Sequence, residues 1–492
     1  MKPGNKNSDK FNALLEKEGI LNLAKKIAHK FKDAEVYAVG GAVRDIILGR
    51  PVKDLDILIR KVRFSDLEKF LKTKGKVDAV GKRFSVLKFL GKGLKKQLDI
   101  AIPRLDFSFG TGGYKDVKTK SDPNLPIEED LARRDFSINA MAWNILEERL
   151  ADPFGGIADL KAKLIKTVGA PKERFGEDYS RMLRAIRFAI QLDFKIEDKT
   201  WNGIKKYISH INDMTEGGER KVPYEVISAE FLKSFSASPS GTIEKYLDCG
   251  AIKKLMPEIL KMKGCSQPPE FHGEGDVLTH TLLALDNLDS KIFKKYFSSD
   301  PDLTTKVAIL FHDIGKPSAK KKLDGRVVFH NHDKEGAKIA RNILERMKMS
   351  APPEIGIDTG KIEWLIENHL VFLHSHPRDM KKTTLEKYFF GRYGGESLLQ
   401  LFLADAWATK PEGKDVDLER FKVAYKLWKE MRGTKKEAPP KPLINGDGIM
   451  KILKIPSGPK VGQVLELLRE EQLTGRIKTK KEAENFLKKL TL

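Results

Sequence analysis

Two aspartates, Asp54 and Asp56, stand two positions apart in the apolar run KDLDILI. Such a run of β-branched and aliphatic residues favours a β-strand, in which alternate side chains point to the same face. Both carboxylates are therefore expected side by side, with the intervening apolar residues facing a core. Two carboxylates this close repel each other unless a cation lies between them, and Mg²⁺ prefers hard oxygen ligands. The spacing predicts a magnesium site.

Two glycines and an arginine precede this run in the stretch VGGAVRDIILG. Gly40 and Gly41 can bring backbone N–H groups close to an anion at the beginning of the following helix, where the helix dipole favours negative charge. Arg44, in the first turn of that helix, adds a donor for a triphosphate or a sugar. The order of these residues predicts a phosphate site next to the metal site.

A third carboxylate is expected to complete the site. Nucleotidyl transfer with two metal ions usually requires a further acidic residue that shapes the site for the attacking hydroxyl. Asp99, in the strand-like run QLDIAIPR, is the best candidate. The predicted catalytic residues are therefore Asp54, Asp56 and Asp99.

The elements that must position these residues form a mixed α/β domain. Runs such as VYAVG and QLDIAI alternate with helical stretches such as FSDLEKFLKTKG, and helical periodicity dominates further on. A charged, proline-containing linker, GTKKEAPPKP, precedes a last segment predicted to hold two short helices around a Ser-Gly-Pro turn. The predicted division is an N-terminal helical extension over 1–34, a catalytic head over 35–165, a helical neck over 166–262, a histidine-rich domain over 263–432 and a helical tail over 433–492.

The composition indicates a polyanionic partner and excludes several classes of protein. The 492 residues contain 91 Lys and Arg against 69 Asp and Glu, a formal net charge of +22, which favours nucleic acid as a partner over an inert basic surface. Only Cys249 and Cys265 occur, so a disulfide framework is excluded. No apolar run approaches a membrane span, and the first residues lack the apolar core of a signal peptide. We expect a cytoplasmic protein without a membrane partner.

Five motifs in a fixed order resemble those of one family. GGAVRD and KDLDI are followed by LARRDFSINAMA (131–142), DPFGGIADL (152–160) and EDYSRMLRAIRF (177–188), and together they resemble the class II tRNA nucleotidyltransferase and bacterial poly(A) polymerase family. The resemblance implies a polymerase beta-like nucleotidyltransferase head in an α+β multidomain chain, followed by an all-α connector, an HD domain and a tail. It also implies template-independent addition of CCA, or part of it, to tRNA 3′ ends from CTP and ATP, with Mg²⁺ in the head.

The resemblance assigns further residues to the nucleotide. It implies contacts from Arg134 and Asp135, Asn139 near the ribose, base readout by Asp178 and Arg181, and nucleotide contacts from Arg184 and Arg187. If Asp178 and the arginines share a helix, a spacing of three places them on one slanted stripe. Cytosine and adenine both present an amine donor beside a ring-nitrogen acceptor, which a carboxylate and a guanidinium can pair, whereas uracil and guanine present the reverse.

The histidine-rich domain resembles HD-domain phosphohydrolases. His280, the adjacent His312 and Asp313, and Asp405 match their ligand set, while His332 and His369 stand where some members hold a second metal. Mixed imidazole and carboxylate ligands suit Mg²⁺, Mn²⁺, Fe²⁺, Co²⁺ or Ni²⁺, and a metal-bound water would attack a phosphate ester. In the tail, Lys451, Lys454 and Lys460 are expected to contact tRNA phosphates or to be solvated on a packing helix.

Several alternatives stay open from the sequence. A poly(A) polymerase, or an enzyme that adds only A or only CC, would carry the same motifs. An HD-domain phosphohydrolase acting on RNA ends, with a head that merely binds RNA, belongs to another class, and a non-catalytic RNA-binding protein is a third possibility. The oligomeric state does not follow from the sequence.

Overall fold

The computed structural model describes residues 5–79, 86–113, 116–352, 355–434, 442–473 and 475–490. The chain divides into two compact units, Met1–Met256 with Met347–Ile355, and Pro257–Arg346 with Gly356–Leu492. The five-part division made from the sequence stays a prediction. Of the predicted linker GTKKEAPPKP, residues 435–441 lie outside the described residues.

The first unit contains the strands of the head and the helices around and after them. Its strands are β1 (Glu35–Val39), β2 (Asp56–Arg60), β3 (Gly75–Ala79), β4 (Val86–Gly91), β5 (Leu98–Ala101), β6 (Arg104–Ser108), β7 (Val117–Ser121), β8 (Ala142–Asn144), β9 (Arg149–Ala151), β10 (Leu164–Ile165) and β11 (Lys195–Ile196). Its helices are α1 (Asn5–Lys17), α2 (Ile20–Lys30), α3 (Gly41–Leu48), α4 (Phe64–Lys72), α5 (Ile127–Ala132), α6 (Gly156–Lys161), α7 (Pro171–Glu177), α8 (Ser180–Leu192), α9 (Asp198–Tyr207), α10 (Tyr224–Ala237), α11 (Pro239–Asp248) and α12 (Ala251–Leu255), with 3-10 helices at Ser137–Asn139 and Ile208–Asn212.

The second unit is almost entirely helical. Its helices are α13 (Pro257–Leu260), α14 (Val277–Asp286), α15 (Lys291–Tyr296), α16 (Leu303–Phe311), α17 (Lys316–Ala319), α18 (His332–Arg346), α19 (Thr359–Asn368), α20 (Val371–His374), α21 (Lys382–Phe390), α22 (Gly395–Ala408), α23 (Glu419–Thr434), α24 (Gly446–Leu453), α25 (Pro459–Leu473) and α26 (Lys480–Lys489). A hairpin of β12 (Lys321–Leu323) and β13 (Arg326–Val328) and 3-10 helices at Asn287–Asp289 and Pro377–Asp379 complete it. The predicted α+β fold class, a mixed sheet with helices followed by all-α regions, is confirmed.

A mixed sheet forms the centre of the first unit, with the strand order β3-β4-β5-β2-β1-β8-β9 among the described residues. β2 and β5 run parallel, and the other neighbours run antiparallel. β2 is buried on both faces, because Ile57 and Ile59 are buried on one side and Leu58 packs with Tyr37 and Leu131 on the other. The sequence predicted a single buried face for this strand, and that expectation was wrong because α5 packs against the face that carries Leu58.

The tail contains three helices within the described residues, and the first two lie in the segment predicted to hold two helices around a Ser-Gly-Pro turn. α24 and α25 flank the Ser-Gly-Pro turn, and α25 is 15 residues long. α26 follows and begins with a capping box in which Thr479 and Glu482 satisfy each other's backbone N–H groups. Apolar residues of all three helices form one cluster, which includes Ile449, Val464 and Leu487. The third helix is therefore needed to cover the apolar faces of the first two.

Among the described residues, none of the helices combines the length and the apolar character that a membrane span requires.

The N-terminal helix α1 is anchored to the sheet by one aromatic stack. Phe11 of α1 lies on Trp143 of β8, with ring centroids 4.4 Å apart and planes inclined by 11°. Both side chains are fully buried, with exposed fractions of 1% and 0%. Docking of α1 is therefore expected to depend strongly on this contact.

We expect Phe11→Ala to lower the free energy of unfolding of the first unit by about 3–5 kcal/mol, because truncating a buried ring loses transfer free energy and leaves a cavity. Urea unfolding followed by circular dichroism measures the change. Phe107→Ala, at a ring that is 51% exposed, is the control and should cost less than about 0.5 kcal/mol. An equally small effect of both variants would show that α1 does not depend on this stack.

Candidate active site and candidate metal centre

Asp56 and Asp99 face each other across two parallel strands at the centre of the sheet. Asp56 opens β2, Asp99 lies in β5, and the two are paired in register, so their side chains point to the same face. Asp54 lies in the loop before β2, not in the strand as predicted. The reason is that β1 ends with Val39 opposite Asp56, so the preceding residues have no partner in that strand. All three carboxylates nevertheless line one cavity of about 420 Å³.

The electrostatics of these carboxylates suit a divalent cation. Surrounding protein restricts the hydration of Asp56 and raises its pKa, Arg134 opposes this shift, and the charges of Asp99 and Asp54 add to it. Burial is thus the main cause that disfavours the charged form of Asp56, the two neighbouring negative charges add to it, and a bound cation would offset both effects. A donor set made only of carboxylates fits hard ions such as Mg²⁺. The residues present are therefore compatible with a metal ion.

Gly40 joins β1 to α3 in a conformation that favours glycine, with φ 75° and ψ −134°. A Cβ at this position would lie 2.6 Å from Nη1 of Arg134. The N–H of Gly40 donates to the carbonyl of Met141 at 3.1 Å, so it is committed to the sheet and does not serve the anion contact expected from the sequence. Gly40 instead permits the close approach of the Arg134 guanidinium, while Gly41 forms the beginning of α3.

A continuous polar network leads from α3 to α8. Nη1 of Arg44 donates to Oδ1 of Asn139 at 2.7 Å, and Nδ2 of Asn139 donates to Oδ1 of Asp135 at 3.3 Å. The other carboxylate oxygen of Asp135 accepts from Nε of Arg184 at 2.9 Å. Burial acts to raise the pKa of Asp135, but Arg184, Arg181 and Asn139 together outweigh burial and hold that pKa below its usual range. The network brings four of the predicted nucleotide-binding residues together and keeps Asp135 ionised.

Arg134 and Asp135 lie outside the neighbouring helices. α5 ends at Ala132, and the two residues lie between it and the 3-10 helix Ser137–Asn139. Phe136 explains the break, since its backbone is extended and its side chain is fully buried. The chain leaves the helix to insert this ring into the core, and it thereby turns Asp135 toward α8.

Asp178 lies outside helix α8, contrary to the predicted stripe. Its backbone is extended, with φ −159° and ψ 107°, and its Oδ1 accepts from the N–H of Ser180, the first residue of α8, at 2.8 Å. The next residue, Tyr179, donates its N–H to the carbonyl of Gly112 at 3.1 Å, which holds this part of the chain away from the helix axis. The stripe on α8 therefore contains only arginines, and Asp178 approaches it from the end of the helix.

The arginines of α8 are held by carboxylates that the sequence analysis did not single out. Glu230 of α10 accepts from Nε of Arg187 at 2.5 Å and lies 3.5 Å from Nη1 of Arg184. Glu177 pairs with Nη1 of Arg181. Burial acts to lower the pKa of Arg184, but Asp135 and Glu230 outweigh it and raise that pKa. Glu230 is only 6% exposed. Its place among apolar residues of a predicted helix could have indicated from the sequence that it is a buried acid with a partner.

The predicted metal ligands of the second unit converge on one centre. They lie on or directly after five helices: His280 on α14, His312 and Asp313 after α16, His332 at the beginning of α18, His369 after α19, and Asp405 on α22. Two adjacent groups result, one of His280, His312 and Asp405 and one of Asp313, His332 and His369, and within each the candidate ligand atoms lie within 4.8 Å of one another. All six side chains are buried.

Three of the histidines are held in the tautomer that a metal requires. Nδ1 of His312, His332 and His369 lies 2.7–2.8 Å from the carbonyl oxygen three residues earlier, so Nδ1–H donates there and the lone pair resides on Nε2. Within the described part of the chain, these buried Nε2 atoms have no hydrogen-bond partner. They lie 3.3, 3.4 and 3.9 Å from the carboxylate of Asp313. Orphaned, inward-pointing imidazole nitrogens around a carboxylate fit a metal centre.

The carboxylates of this centre are ionised donors. Burial acts to raise the pKa of Asp313, but His312 and Lys316 outweigh it and hold that pKa far below its usual range. Asp405 behaves in the same way, with His280 as the main partner that lowers its pKa. Mixed imidazole and carboxylate donors suit transition metals as well as magnesium. The clusters could therefore bind a divalent metal.

Glu274 is a third carboxylate that was not singled out from the sequence. Its Oε1 lies 2.7 Å from Nδ1 of His280 and 2.8 Å from Nδ1 of His272, and its Oε2 accepts from the N–H of Lys410 at 2.9 Å. A carboxylate behind a ligating imidazole fixes the orientation of the ring. Glu274 lies in a loop without periodicity, so no signal in a single sequence pointed to it.

Comparisons with known proteins match both regions. The poly A polymerase head domain matches residues 36–166, and the HD domain matches residues 277–404. The multifunctional CCA protein of Acidovorax sp. (strain JS42) is 31% identical over 322 residues, which are 64% of this chain and 68% of that protein. The A-adding tRNA nucleotidyltransferase of Deinococcus radiodurans is 31% identical over 377 residues, 75% of this chain and 80% of that protein.

Solved structures show the same fold. The Bacillus stearothermophilus CCA-adding enzyme in complex with CTP is similar with a TM-score of 0.60 at 18% identity, covering 96% of each chain. The Thermotoga maritima CCA-adding enzyme complexed with tRNA is similar with a TM-score of 0.55 at 21% identity, covering 95% of this chain and 94% of that one. Together with the identity to the curated relatives, these matches show that the chain belongs to the family of tRNA nucleotidyltransferases and bacterial poly(A) polymerases and carries an HD domain.

Proposed function

We propose that this protein adds CCA, or part of it, to the 3′ ends of tRNA from CTP and ATP, in the cytoplasm and without a template. The observation that carries the proposal is the in-register pair of Asp56 and Asp99, with Asp54 in the same cavity. The names of the relatives, multifunctional CCA protein and A-adding tRNA nucleotidyltransferase, support tRNA as the acceptor. The complexes of similar structures with CTP and tRNA support the substrates.

The three carboxylates of the head would hold Mg²⁺. The chemistry that bound Mg²⁺ supplies is charge neutralisation at the attacking 3′-hydroxyl and at the departing pyrophosphate. Gly41, at the N-terminal end of α3, and Arg44 would bind the triphosphate, and Asn139 and Asp135 would orient the sugar. No protein nucleophile is required, because positioning and electrostatic stabilisation carry the rate of nucleotidyl transfer.

Selection of the base would fall to Asp178 and Arg181 together. The carboxylate accepts from the exocyclic amine of cytosine or adenine, and the guanidinium donates to the adjacent ring nitrogen. Support comes from the way Arg181 is held, since its Nη1 donates to the carbonyl of Arg174 at 3.1 Å and pairs with Glu177. Arg184 and Arg187, fixed by Glu230, would complete the nucleotide site.

Replacing Asp99 with Asn is expected to lower the rate of CTP incorporation on the order of 10³-fold, because loss of one ligand charge removes several kcal/mol of metal-based stabilisation. Incorporation of labelled CTP into a tRNA transcript that ends before CCA measures the rate. Asp78→Asn, at a 46% exposed side chain of β3 outside the cavity, is the matched control. An unchanged rate for Asp99→Asn would remove this residue from the site.

Members of the family differ in which nucleotides they add and to which RNA ends. Transcripts ending before CCA, before CA and before A are each incubated with one labelled nucleotide at a time. CCA addition predicts C on the first two transcripts and A on the third. Addition of A only to the third transcript would identify an A-adding enzyme, which the Deinococcus radiodurans relative makes the main rival, and A on any RNA end would identify a poly(A) polymerase.

Replacing Arg181 with Ala is expected to raise the misincorporation of UTP relative to CTP by about 10- to 100-fold, since each unpaired polar group costs on the order of 1–3 kcal/mol of discrimination. Single-turnover incorporation with CTP and with UTP measures the ratio. Arg149→Ala, whose side chain is 64% exposed, is the control and should leave the ratio unchanged. A general loss of rate with the same ratio would indicate that Arg181 does not read the base.

We further propose that the HD centre binds two divalent metal ions and hydrolyses phosphate esters at RNA ends. The orphaned Nε2 atoms around Asp313 support two ions, with His280, His312 and Asp405 at one and His332 and His369 at the other. The centre opens into a cavity of about 1100 Å³, large enough for a nucleotide. Mg²⁺, Mn²⁺, Fe²⁺, Co²⁺ or Ni²⁺ would suit these ligands.

The double variant His332→Ala/His369→Ala is expected to lose one of two HD-bound metal ions per chain and the hydrolysis of a 3′-phosphorylated RNA oligonucleotide, while CTP incorporation stays unchanged. Elemental analysis of the purified protein in Mn²⁺ measures the metal content. His376→Ala in the same unit serves as the control, because this residue lies outside both clusters. Retention of both ions by the double variant would contradict a second metal at this position.

A further inference from the structure

The cavity of the three carboxylates contains a set of lysines that the proposed nucleotide site does not use. The charged residues that line it are Glu18, Lys53, Asp54, Asp56, Lys88, Lys96 and Asp99. Four acidic and three basic residues therefore line one cavity of about 420 Å³. Two divalent ions on the carboxylates would turn the local charge balance positive and favour a polyanion there.

The order of the strands places Lys88 on the far side of the carboxylates from the triphosphate. Lys88 of β4 is paired in register with Asp99, and Asp99 is paired with Asp56, so all three side chains lie in one row on the same face of the sheet. The row continues to Val39, the last residue before Gly40 and α3. Three strand spacings, roughly 14 Å, separate Lys88 from the strand that leads to the phosphate end.

Lys88 and Lys96 are not consumed by ion pairs. Among the described residues, no carboxylate oxygen lies within 4.0 Å of either ammonium group, although Asp99 lies across from Lys88. Nζ of Lys96 donates to the carbonyl of Lys53 at 3.3 Å, which holds this side chain over the loop that carries Asp54. Lys88 is half-buried and Lys96 is exposed, so both can reach a ligand that enters the cavity.

We propose that Lys88 and Lys96 bind the last phosphodiester of the RNA acceptor strand and thereby position its 3′-hydroxyl at Asp99. The inference rests on the proposed nucleotidyl transfer, in which the incoming nucleotide occupies the side of α3 and Arg44. The acceptor strand then has to reach the carboxylates from the side of β4. A phosphodiester directly precedes the terminal ribose, and a lysine beside the third carboxylate matches that charge.

The test is a double-perturbation cycle, in which the charge of Lys88 and the charge of one phosphate are removed singly and together and the effects on Kd are compared. A tRNA transcript that ends before CCA is prepared with a normal or an uncharged methylphosphonate linkage before its last nucleotide, and its Kd for the full-length protein is measured by fluorescence anisotropy in Mg²⁺ without CTP. We expect Lys88→Met to raise the Kd about three- to tenfold and to reduce the slope of log Kd against log salt by about 0.7, the value for one single-strand phosphate contact. The methylphosphonate should weaken binding to the wild type equally and to Lys88→Met no further.

Matched variants separate this role from a structural one. Lys88→Arg retains the charge and should restore most of the affinity, and Lys96→Met should behave like Lys88→Met with a smaller effect. Lys76→Met, at a 75% exposed lysine of β3 outside the cavity, should change nothing. The KM for CTP should stay the same in every variant, which also shows that the fold is intact.

Two results would overturn the inference. An equal loss of affinity from the methylphosphonate in the wild type and in Lys88→Met would show that the lysine does not contact this phosphate. A raised KM for CTP with an unchanged Kd for RNA would place Lys88 on the nucleotide side. If the proposed function is wrong, the wild-type protein will incorporate no nucleotide. The binding cycle would still show whether Lys88 contacts this phosphate.

Discussion

Mutual repulsion of carboxylates at the centre of a buried sheet is the constraint on which the head depends. Asp56 and Asp99 are held in register by strands whose residues include the buried Ile57, Leu58, Ile59 and Ile100. A shift of β2 by one residue would turn Asp56 to the opposite face and bury it without a partner. Burial of Ile57, Leu58 and Ile59 on both faces makes such a shift costly, so apolar packing enforces a charge arrangement that is unfavourable on its own.

The second requirement of the head is a set of fixed positive charges beyond the carboxylates. The network from Arg44 through Asn139 and Asp135 to Arg184 alternates donors and acceptors, so each side chain restricts the rotamer of the next. Glu230 extends it to Arg187. Removing one acidic member would leave a partly buried guanidinium without compensation, which is more costly than loss of a surface pair. The guanidinium groups are therefore pre-positioned before any substrate arrives.

Much of this site could be predicted because many of its functional residues lie close together in the sequence. Residue types and period-2 spacing were enough to group the acid pair with the glycines before α3, whereas the histidines were grouped through their resemblance to HD domains. What could not be predicted depends on contacts between distant segments. Asp178 leaves α8 because Tyr179 bonds to Gly112, and Gly40 loses its free N–H to Met141. Hydrogen bonds between residues far apart in the chain leave no pattern in the local sequence.

The fold likewise has features that the local sequence predicts and features that depend on contacts between distant segments. A mixed α/β head followed by helical regions was predicted from strand and helix patterns, and the α+β class from the family resemblance, whereas the second buried face of β2 depends on α5 packing against Leu58. Glu274 lies in a loop and Glu230 on an otherwise apolar helix face, so their roles as supports of His280 and of Arg187 appear only once the partners are adjacent. α26 was missed because its apolar residues have meaning only beside α24 and α25.

The anchoring of the three HD histidines by carbonyls of their own turns has a consequence for how the centre can change. Each ring is oriented by a bond that spans three residues, so the loss of one ring does not release the others. His280 differs, because its orientation comes from Glu274 in a separate loop. Related proteins can therefore lose the metal ligands one at a time while the surrounding helices keep their fold.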